Sequence, residues 1–216
     1  MPLSPPVGRQ HLHTRRVTCQ GFFRDDGLWD IEGHITDAKT YEHANEWRGP
    51  IEPGEFVHDM SIRLTLDHKF IIVDVEAVTD KSPYRICGEV APDFRKLIGL
   101  RVGAGFHREV RARLGGVHGC THIVELLGPV ATTAFQTVSS GKARDLNRAH
   151  RARSGHAPKP ADARAKPRRK PYVIDTCHAW AADGPVVKRW APDFYTGPDA
   201  EAVRAEAAGK DIEMEG

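Results

Sequence analysis

The segment that begins at Cys120 carries the residues whose types and spacing point most directly to chemistry. His122 and Glu125 are three residues apart, so on a helix their side chains can meet. A carboxylate beside an imidazole raises the affinity of the imidazole for a proton and fixes the tautomer of the ring, which suits general acid–base catalysis. The same carboxylate could orient a metal-bound histidine, or the two could form an ordinary helical pair. We take both as candidate catalytic residues.

A helix over 120–138 would gather its polar residues into one stripe along an otherwise apolar surface. The stripe carries no Lys or Arg, and Pro129 within it leaves the backbone carbonyl of Glu125 without its helical donor. A solvated stripe with a proline kink is one interpretation, and the wall of a functional pocket is the one we favour. On the second interpretation, Thr132 and Gln136 are substrate-binding candidates. The stripe consists of Thr121, His122, Glu125, Pro129, Thr132, Thr133 and Gln136.

Strict alternation of apolar and polar residues predicts strands over 28–36, 56–66 and 69–79. His58 is the lone polar residue on the apolar face of the second strand, so it is either a buried structural histidine or a catalytic one. The opposite face gathers acidic side chains around Arg63 and forms either a solvated surface or a substrate pocket. From these strands we take His58 as a catalytic candidate and Asp59, Arg63 and Trp29 as substrate-binding candidates.

Tyr84 follows the third predicted strand, in a loop of the kind that often carries active-site groups. A tyrosine there can exchange a proton with a phenolic or enolate oxygen, and it is our fourth catalytic candidate. An ordinary packed tyrosine is the alternative.

Metal and cofactor signatures are not found in the sequence. Cys120 and His122 would lie about 200° apart on a helix, and the four cysteines contain no CxxC pair. The motifs for dinucleotides, for phosphates and for a serine nucleophile elbow do not occur. We therefore expect no metal and no cofactor, with a Cys/His or carboxylate/His metal site as the alternative.

Composition and charge limit the class of protein. Of 216 residues, 40% are hydrophobic and 28% are charged, as in a globular protein with a substantial core. Apolar runs are too short for a membrane span, and residues 1–9 lack a secretory signal, so we expect a cytoplasmic protein that does not bind membranes. Eleven Lys and Arg against two Asp lie in 142–170, a net +9 that leaves −7 on the rest. Without interleaved aromatic residues this basic segment predicts no specific nucleic-acid binding.

These elements predict an α+β fold, with an antiparallel sheet packed against the long apolar helix and a C-terminal hairpin. The two-residue connection Asp67-His68 would join the second and third strands as a hairpin, and further helices are predicted over 92–97 and 106–114. The predicted organisation is a flexible arm over 1–20, the core domain over 21–140, a basic Pro-rich linker over 141–171, a hairpin packed on the core over 172–198 and a tail over 199–216.

Several runs of residues resemble a bacterial domain family of unknown function catalogued under number 2889. The runs are DGLWDIEG at 26–33, VHDM at 57–60, GCTH at 119–122, ELLGP at 125–129 and ATTAFQT at 131–137. The resemblance covers about 15–140 and the stretch 175–178. It implies a small stand-alone protein encoded near genes for degrading aromatic or other cyclic carbon sources.

With no cofactor motif, the chemistry within reach of these side chains is proton transfer. We expect a cofactor-independent enzyme acting on an aromatic or cyclic catabolic substrate as a lyase, isomerase or hydratase, for example by retro-aldol loss of a small aldehyde. A metal-dependent hydrolase is one alternative, and a non-catalytic ligand-binding or interaction module is another. The expected partner is a small-molecule substrate, and a homo-oligomer stays open.

Overall fold

The computed structural model describes the backbone of residues 3–154 and 170–212, and the side chains of 3–141 and 170–207. Four strands form one antiparallel sheet in the order β1-β2-β3-β4, and several helices accompany it, so the predicted α+β class is confirmed. The strands are β1 His13–Phe23, β2 Trp29–Lys39, β3 Phe56–Leu66 and β4 Ile72–Lys81. The α-helices are α1 Phe106–Leu114, α2 Thr121–Ser154, α3 Pro185–Trp190 and α4 Ala200–Ile212. Short 3-10 helices span Arg85–Leu97, Gly116–His118, His178–Trp180 and Pro192–Phe194.

Strands β2, β3 and β4 correspond to the three predicted strands and pair in antiparallel register, although β2 ends three residues later and β4 begins three residues later than predicted. The connection between β3 and β4 is longer than the predicted two residues and spans 67–71. Its turn is held by the Asp67 carboxylate, which accepts hydrogen bonds from the backbone N–H groups of Lys69 at 2.7 Å and Ile71 at 2.8 Å. An aspartate that caps its own turn in this way is a common local motif.

Strand β1 corrects the predicted arm over 1–20, because residues 13–20 belong to the sheet. It pairs with β2 along its whole length, from His13 opposite Lys39 to Phe23 opposite Trp29. The strand is exposed along most of its length. An edge strand with few buried residues shows little alternation, which explains why the sequence pattern does not reveal it.

Helix α2 lies directly on β1 and β2. An added Cβ at Gly33 would come within 2.5 Å of Val130 and 3.0 Å of Leu126, and one at Gly21 would overlap Thr137. Glycine in a strand often marks such a close approach of another element. The helix residues that are fully buried in the main core are Ile123, Leu126, Leu127, Val130, Ala134 and Val138.

Other helices differ from the prediction in their extent. Helix α1 occupies the predicted residues 106–114, whereas the predicted helix over 92–97 is the end of a 3-10 helix that begins at Arg85. Helix α2 continues to Ser154 and so includes the first part of the predicted linker over 141–171. Residues 155–169 of that linker lie outside the described residues. No helix in the described ranges has the length and apolarity needed to cross a membrane.

The contacts divide the chain into two compact units, Met1–Leu146 and Asn147–Gly216. The second unit has a small core of its own, made of Ile174, Val187, Ala191 and Tyr195. The hairpin predicted over 172–198 is wrong, since this range holds turns and three short helices. Asp183-Gly184 precedes Pro185, and a proline suits the first turn of a helix better than the second strand of a hairpin. The predicted tail over 199–216 contains α4.

We expect Gly33→Ala to destabilise the protein by about 1–3 kcal/mol, the usual cost of forcing an extra methyl into a packed interface. The reason is the contact of that methyl with Val130 and Leu126. The matched control is Gly88→Ala, because an added Cβ at Gly88 meets nothing within 4 Å. Urea unfolding of the two variants measures the difference. Equal transition midpoints would contradict the close approach of α2 to the sheet.

Candidate functional site

A buried carboxylate lies at the end of β2, on the face of the sheet that α2 covers. Ile31, Gly33 and Ile35 occupy this face by alternation, and Asp37 is the next residue on it. The side chain of Asp37 is only 1% exposed. Charged side chains are almost never fully buried without partners, so the surroundings of Asp37 must supply them.

The partners of Asp37 come from β1. Antiparallel register places Arg15 directly opposite Asp37, and His13 lies two residues away on the same face. Arg15 donates from Nε to Oδ1 at 2.8 Å and from Nη2 to Oδ2 at 3.0 Å. His13 Nε2 lies 2.9 Å from Oδ1. A bidentate arginine with a further hydrogen bond is among the strongest ways to hold a carboxylate.

These contacts keep Asp37 ionised. Burial by itself would raise the pKa of its carboxyl group, but the hydrogen bonds from Arg15 and His13, together with the charge of Arg15, outweigh burial and lower the pKa. The site therefore contains a negative charge that solvent does not reach.

Two imidazoles lie beside this carboxylate. His58 is opposite Asp37 on β3, with Nδ1 3.2 Å from Oδ2, and His122 in the first turn of α2 has Nε2 3.9 Å from the same oxygen. The two rings stack with centroids 3.8 Å apart and planes inclined by 31°. Their side chains are 15% and 23% exposed, so both rings are largely covered but retain access to solvent.

Both imidazoles favour the neutral form. Burial lowers the pKa of His58, a charged His122 lowers it further, and Asp37 opposes these effects only in part. Burial also lowers the pKa of His122, followed by the charge of Arg15. Since an unperturbed histidine titrates near 6.5, the two rings are neutral at pH 7. Each then has one basic nitrogen available.

Glu125 reaches this cluster through Arg15. Its Oε2 accepts a hydrogen bond from Arg15 Nη1 at 2.9 Å, while its side chain is 63% exposed. The structure thus brings the predicted residues His122, His58 and Glu125 to one place, with Arg15 bridging Glu125 and Asp37. We call this group the Asp37 cluster, which consists of His13, Arg15, Asp37, His58, His122 and Glu125.

The two substrate-binding candidates of the predicted stripe lie away from the cluster. Thr132 and Gln136 are exposed, and they follow His122 by ten and fourteen residues, or about 15 and 21 Å along a helix. Trp29 is buried and packs against Phe23 in a tilted ring contact with centroids 4.4 Å apart. It precedes Asp37 by eight residues of strand, or about 26 Å.

The remaining candidates lie elsewhere. Arg63 donates to Glu32 at 2.8 Å and to Glu76 at 2.7 Å, on the face of the sheet opposite to α2. Asp59 is on the same open face, 2.7 Å from Nε2 of His34. A shallow groove of about 340 Å³ runs over this face and includes Arg63 and His34.

Tyr84 lies just before the first 3-10 helix and is 55% exposed. Exposure of this kind identifies no role for its hydroxyl.

The sequence prediction missed Asp37, Arg15 and His13. Asp37 lies one residue beyond the predicted end of β2 at Thr36, at a position that the alternation assigns to the inner face. Extending the pattern by one residue would have found it. Arg15 and His13 share one face of β1 with Val17 and Cys19, and since only Cys19 of these four is partly buried, the sequence pattern does not mark that face as the inner one. Only the pairing of β1 with β2 brings these residues to Asp37.

The fold and the cluster define an α+β domain with a histidine–carboxylate site at one end of its sheet. The family model described as "Protein of unknown function (DUF2889)" matches residues 13–136, and the chain belongs to this family. The resemblance indicated by the sequence motifs is therefore confirmed, and the matched span contains every residue of the Asp37 cluster. Comparison with curated proteins and with solved structures gives no match.

We expect Asp37→Asn to reduce the free energy of unfolding by about 1.5–3 kcal/mol, the usual contribution of a hydrogen bond to a charged group. The amide keeps the size of the side chain but leaves Arg15 and His13 without a charged acceptor. Asp59→Asn is the matched control, because its partner His34 is half-exposed and such pairs contribute at most about 1 kcal/mol. Denaturant unfolding measures both. Similar losses for the two variants would contradict the central role of Asp37.

Proposed function

We propose that the chain is a small-molecule enzyme that transfers protons at His58 and His122 and belongs to the lyase class. The observation that carries the proposal is the stacking of two neutral imidazoles, 3.8 Å apart, beside a buried ionised carboxylate. Neutral imidazole is the usual general base of proteins near neutral pH. A nearby carboxylate that stabilises the ring once it is protonated completes the arrangement.

The residues take different roles in this proposal. His122 is the more exposed of the two rings and takes the proton from the substrate, while His58 stabilises or shares that proton. Arg15 bears a charge that acts on His122 and can stabilise an oxyanion that develops nearby. Asp37 is a positioning residue, since its own oxygens are held by Arg15 and His13.

One reaction that fits these roles is retro-aldol cleavage of a phenolic compound with a β-hydroxy carbonyl side chain. His122 removes the hydroxyl proton, the bond between the hydroxyl-bearing carbon and its neighbour breaks, and a small aldehyde leaves. The electron pair of that bond becomes an enolate, whose oxyanion is stabilised by Arg15. The protonated imidazole then returns its proton to carbon, so that the enzyme is regenerated. The same groups could carry an isomerase or hydratase reaction.

The substrate class and compartment extend the proposal. The motif runs resemble a family encoded near genes for degrading aromatic or other cyclic compounds, which supports a catabolic substrate of that kind. The four cysteines are free thiols, which supports a reducing cytoplasm as the place where the protein works.

The proposal is tested with a panel of phenols that carry β-hydroxy carbonyl side chains, by converting carbonyl compounds to hydrazones and separating that of the released aldehyde by chromatography. We expect His122→Gln and His58→Gln to lower turnover by about 10²-fold or more, the usual scale for a general acid–base group. Glu125→Gln should have a smaller effect, because Glu125 acts through Arg15. Melting temperatures identify any variant that loses activity through unfolding.

The matched control is His34→Gln, which replaces a half-exposed histidine on the open face of the same sheet. It should leave turnover unchanged. The proposal fails if His122→Gln and His58→Gln retain full turnover while folded.

A further inference from the structure

We infer that Asp37, His58 and His122 form a binding site for one divalent transition-metal ion of the Zn²⁺ or Fe²⁺ type. The inference concerns the same side chains as the proposed active site. Only the expected effect of the metal ion on turnover rests on the proposed function. Two imidazoles and one carboxylate are a common ligand set for these ions, and the set leaves coordination positions open.

The distances between the donor atoms fit such an ion. Asp37, His58 and His122 each offer one ligand atom, and these three atoms all lie within 4.8 Å of one another. Bonds of 2.0–2.1 Å in a tetrahedral arrangement place neighbouring donors about 3.3 Å apart. The separation of 3.2 Å between Asp37 Oδ2 and His58 Nδ1 already matches this value. His122 Nε2 lies 3.9 Å from the same oxygen, and a shift of its ring by less than about 1 Å would bring that distance to the same value.

His58 provides an independent indication. Its Nδ1 is buried and has no hydrogen-bond partner among the described residues, although Asp37 Oδ2 is 3.2 Å away. The two atoms are close but are not aligned as donor and acceptor. A buried polar nitrogen without a partner is costly. A cation between this nitrogen and the carboxylate oxygen would satisfy both atoms.

The surroundings leave room for the ion on the carboxylate. A carboxylate has about four acceptor positions, of which His13 and Arg15 Nε use those on Oδ1, and Arg15 Nη2 uses one on Oδ2. The remaining position on Oδ2 is available on the side of the imidazoles. Hydrogen bonds to the other carboxylate positions are the usual outer support of a ligating aspartate.

Charge also permits binding. Arg15 repels a cation, but Glu125 pairs with Arg15 and offsets its charge. Two carboxylates, Asp37 and Glu125, thus share the single guanidinium of Arg15, which leaves one net negative charge beside the two imidazoles. Neutral imidazoles are the form that ligates metals. Nitrogen ligands favour transition metals over Mg²⁺ and Ca²⁺, which prefer oxygen.

Metal binding has a consequence for the proposed reaction. A neutral imidazole has a single basic nitrogen, and coordination occupies it on both rings. A bound metal ion and a transferred proton therefore compete for the same two nitrogens. We expect Zn²⁺ to inhibit aldehyde release and a chelator to restore it.

The test uses the full chain after treatment with EDTA, titrated with Zn²⁺ in a calorimeter and checked by equilibrium dialysis. We expect one tight site per chain in the wild type. In His58→Gln and His122→Gln we expect the zinc affinity to fall by at least about 10-fold, since changes to residues that only support metal ligands already lower metal affinity by that factor. His34→Gln and Cys177→Ser are the controls and should bind as the wild type does, since both side chains lie outside the three ligands. His122→Gln decides the test if His58→Gln does not fold.

Equal zinc affinity in the wild type, His58→Gln and His122→Gln would overturn the inference. Because zinc binding is measured without substrate, that result would not affect the proposed lyase function, which the aldehyde assay tests separately. Loss of zinc binding in the two variants supports the site even if no phenol in the panel is cleaved. Activation by Zn²⁺ would also support the site, but it would overturn the metal-free mechanism proposed for the lyase reaction.

Discussion

The ionised carboxylate of Asp37 is the constraint on which this end of the molecule depends. A charge with 1% exposure is tolerable only when other groups replace the water that it has lost. The donors that do so come from β1, which supplies Arg15 and His13. His58 on β3 and His122 on α2 lie 3.2 and 3.9 Å from Oδ2 of the same carboxylate. Strand β1 must therefore pair with β2 at this point for the buried charge to be tolerated, and β3 and α2 bring the two imidazoles to it.

The second constraint is the match between α2 and β2 in length and direction. His122 lies near Asp37, Leu126 and Val130 lie on Gly33, and Gly141 lies against Trp29. Helix and strand thus run in opposite directions over nineteen and eight residues, or about 28 and 26 Å. The absence of a side chain at Gly33 sets the spacing between the two elements. That spacing places the first turn of α2 over the end of the sheet, so the packing of the core positions His122.

How much could be predicted from the sequence follows from these two constraints. Alternation shows one buried face, so it predicted β2 to β4 and the inward position of His58, and helical periodicity picked out His122. Neither pattern detects an edge strand such as β1, whose residues are mostly exposed. Asp37 is an acidic residue on a core face, which hydrophobic patterns treat as the end of a strand. The part of the cluster that depends on pairing between distant segments therefore had to come from the structure.

The two faces of the sheet differ in burial and charge, and the difference favours the covered end as the place of the proposed chemistry. On the open face, Arg63 pairs with Glu32 and Glu76, and all three side chains are between 38% and 61% exposed. Water screens such pairs, so they contribute little energy and shift reactivity only slightly. At the Asp37 cluster, burial lowers the pKa of both histidines while the carboxylate stays charged. A neutral base and a fixed negative charge then lie side by side where water is largely excluded, so that they affect a reacting group more strongly than the exposed pairs of the open face do.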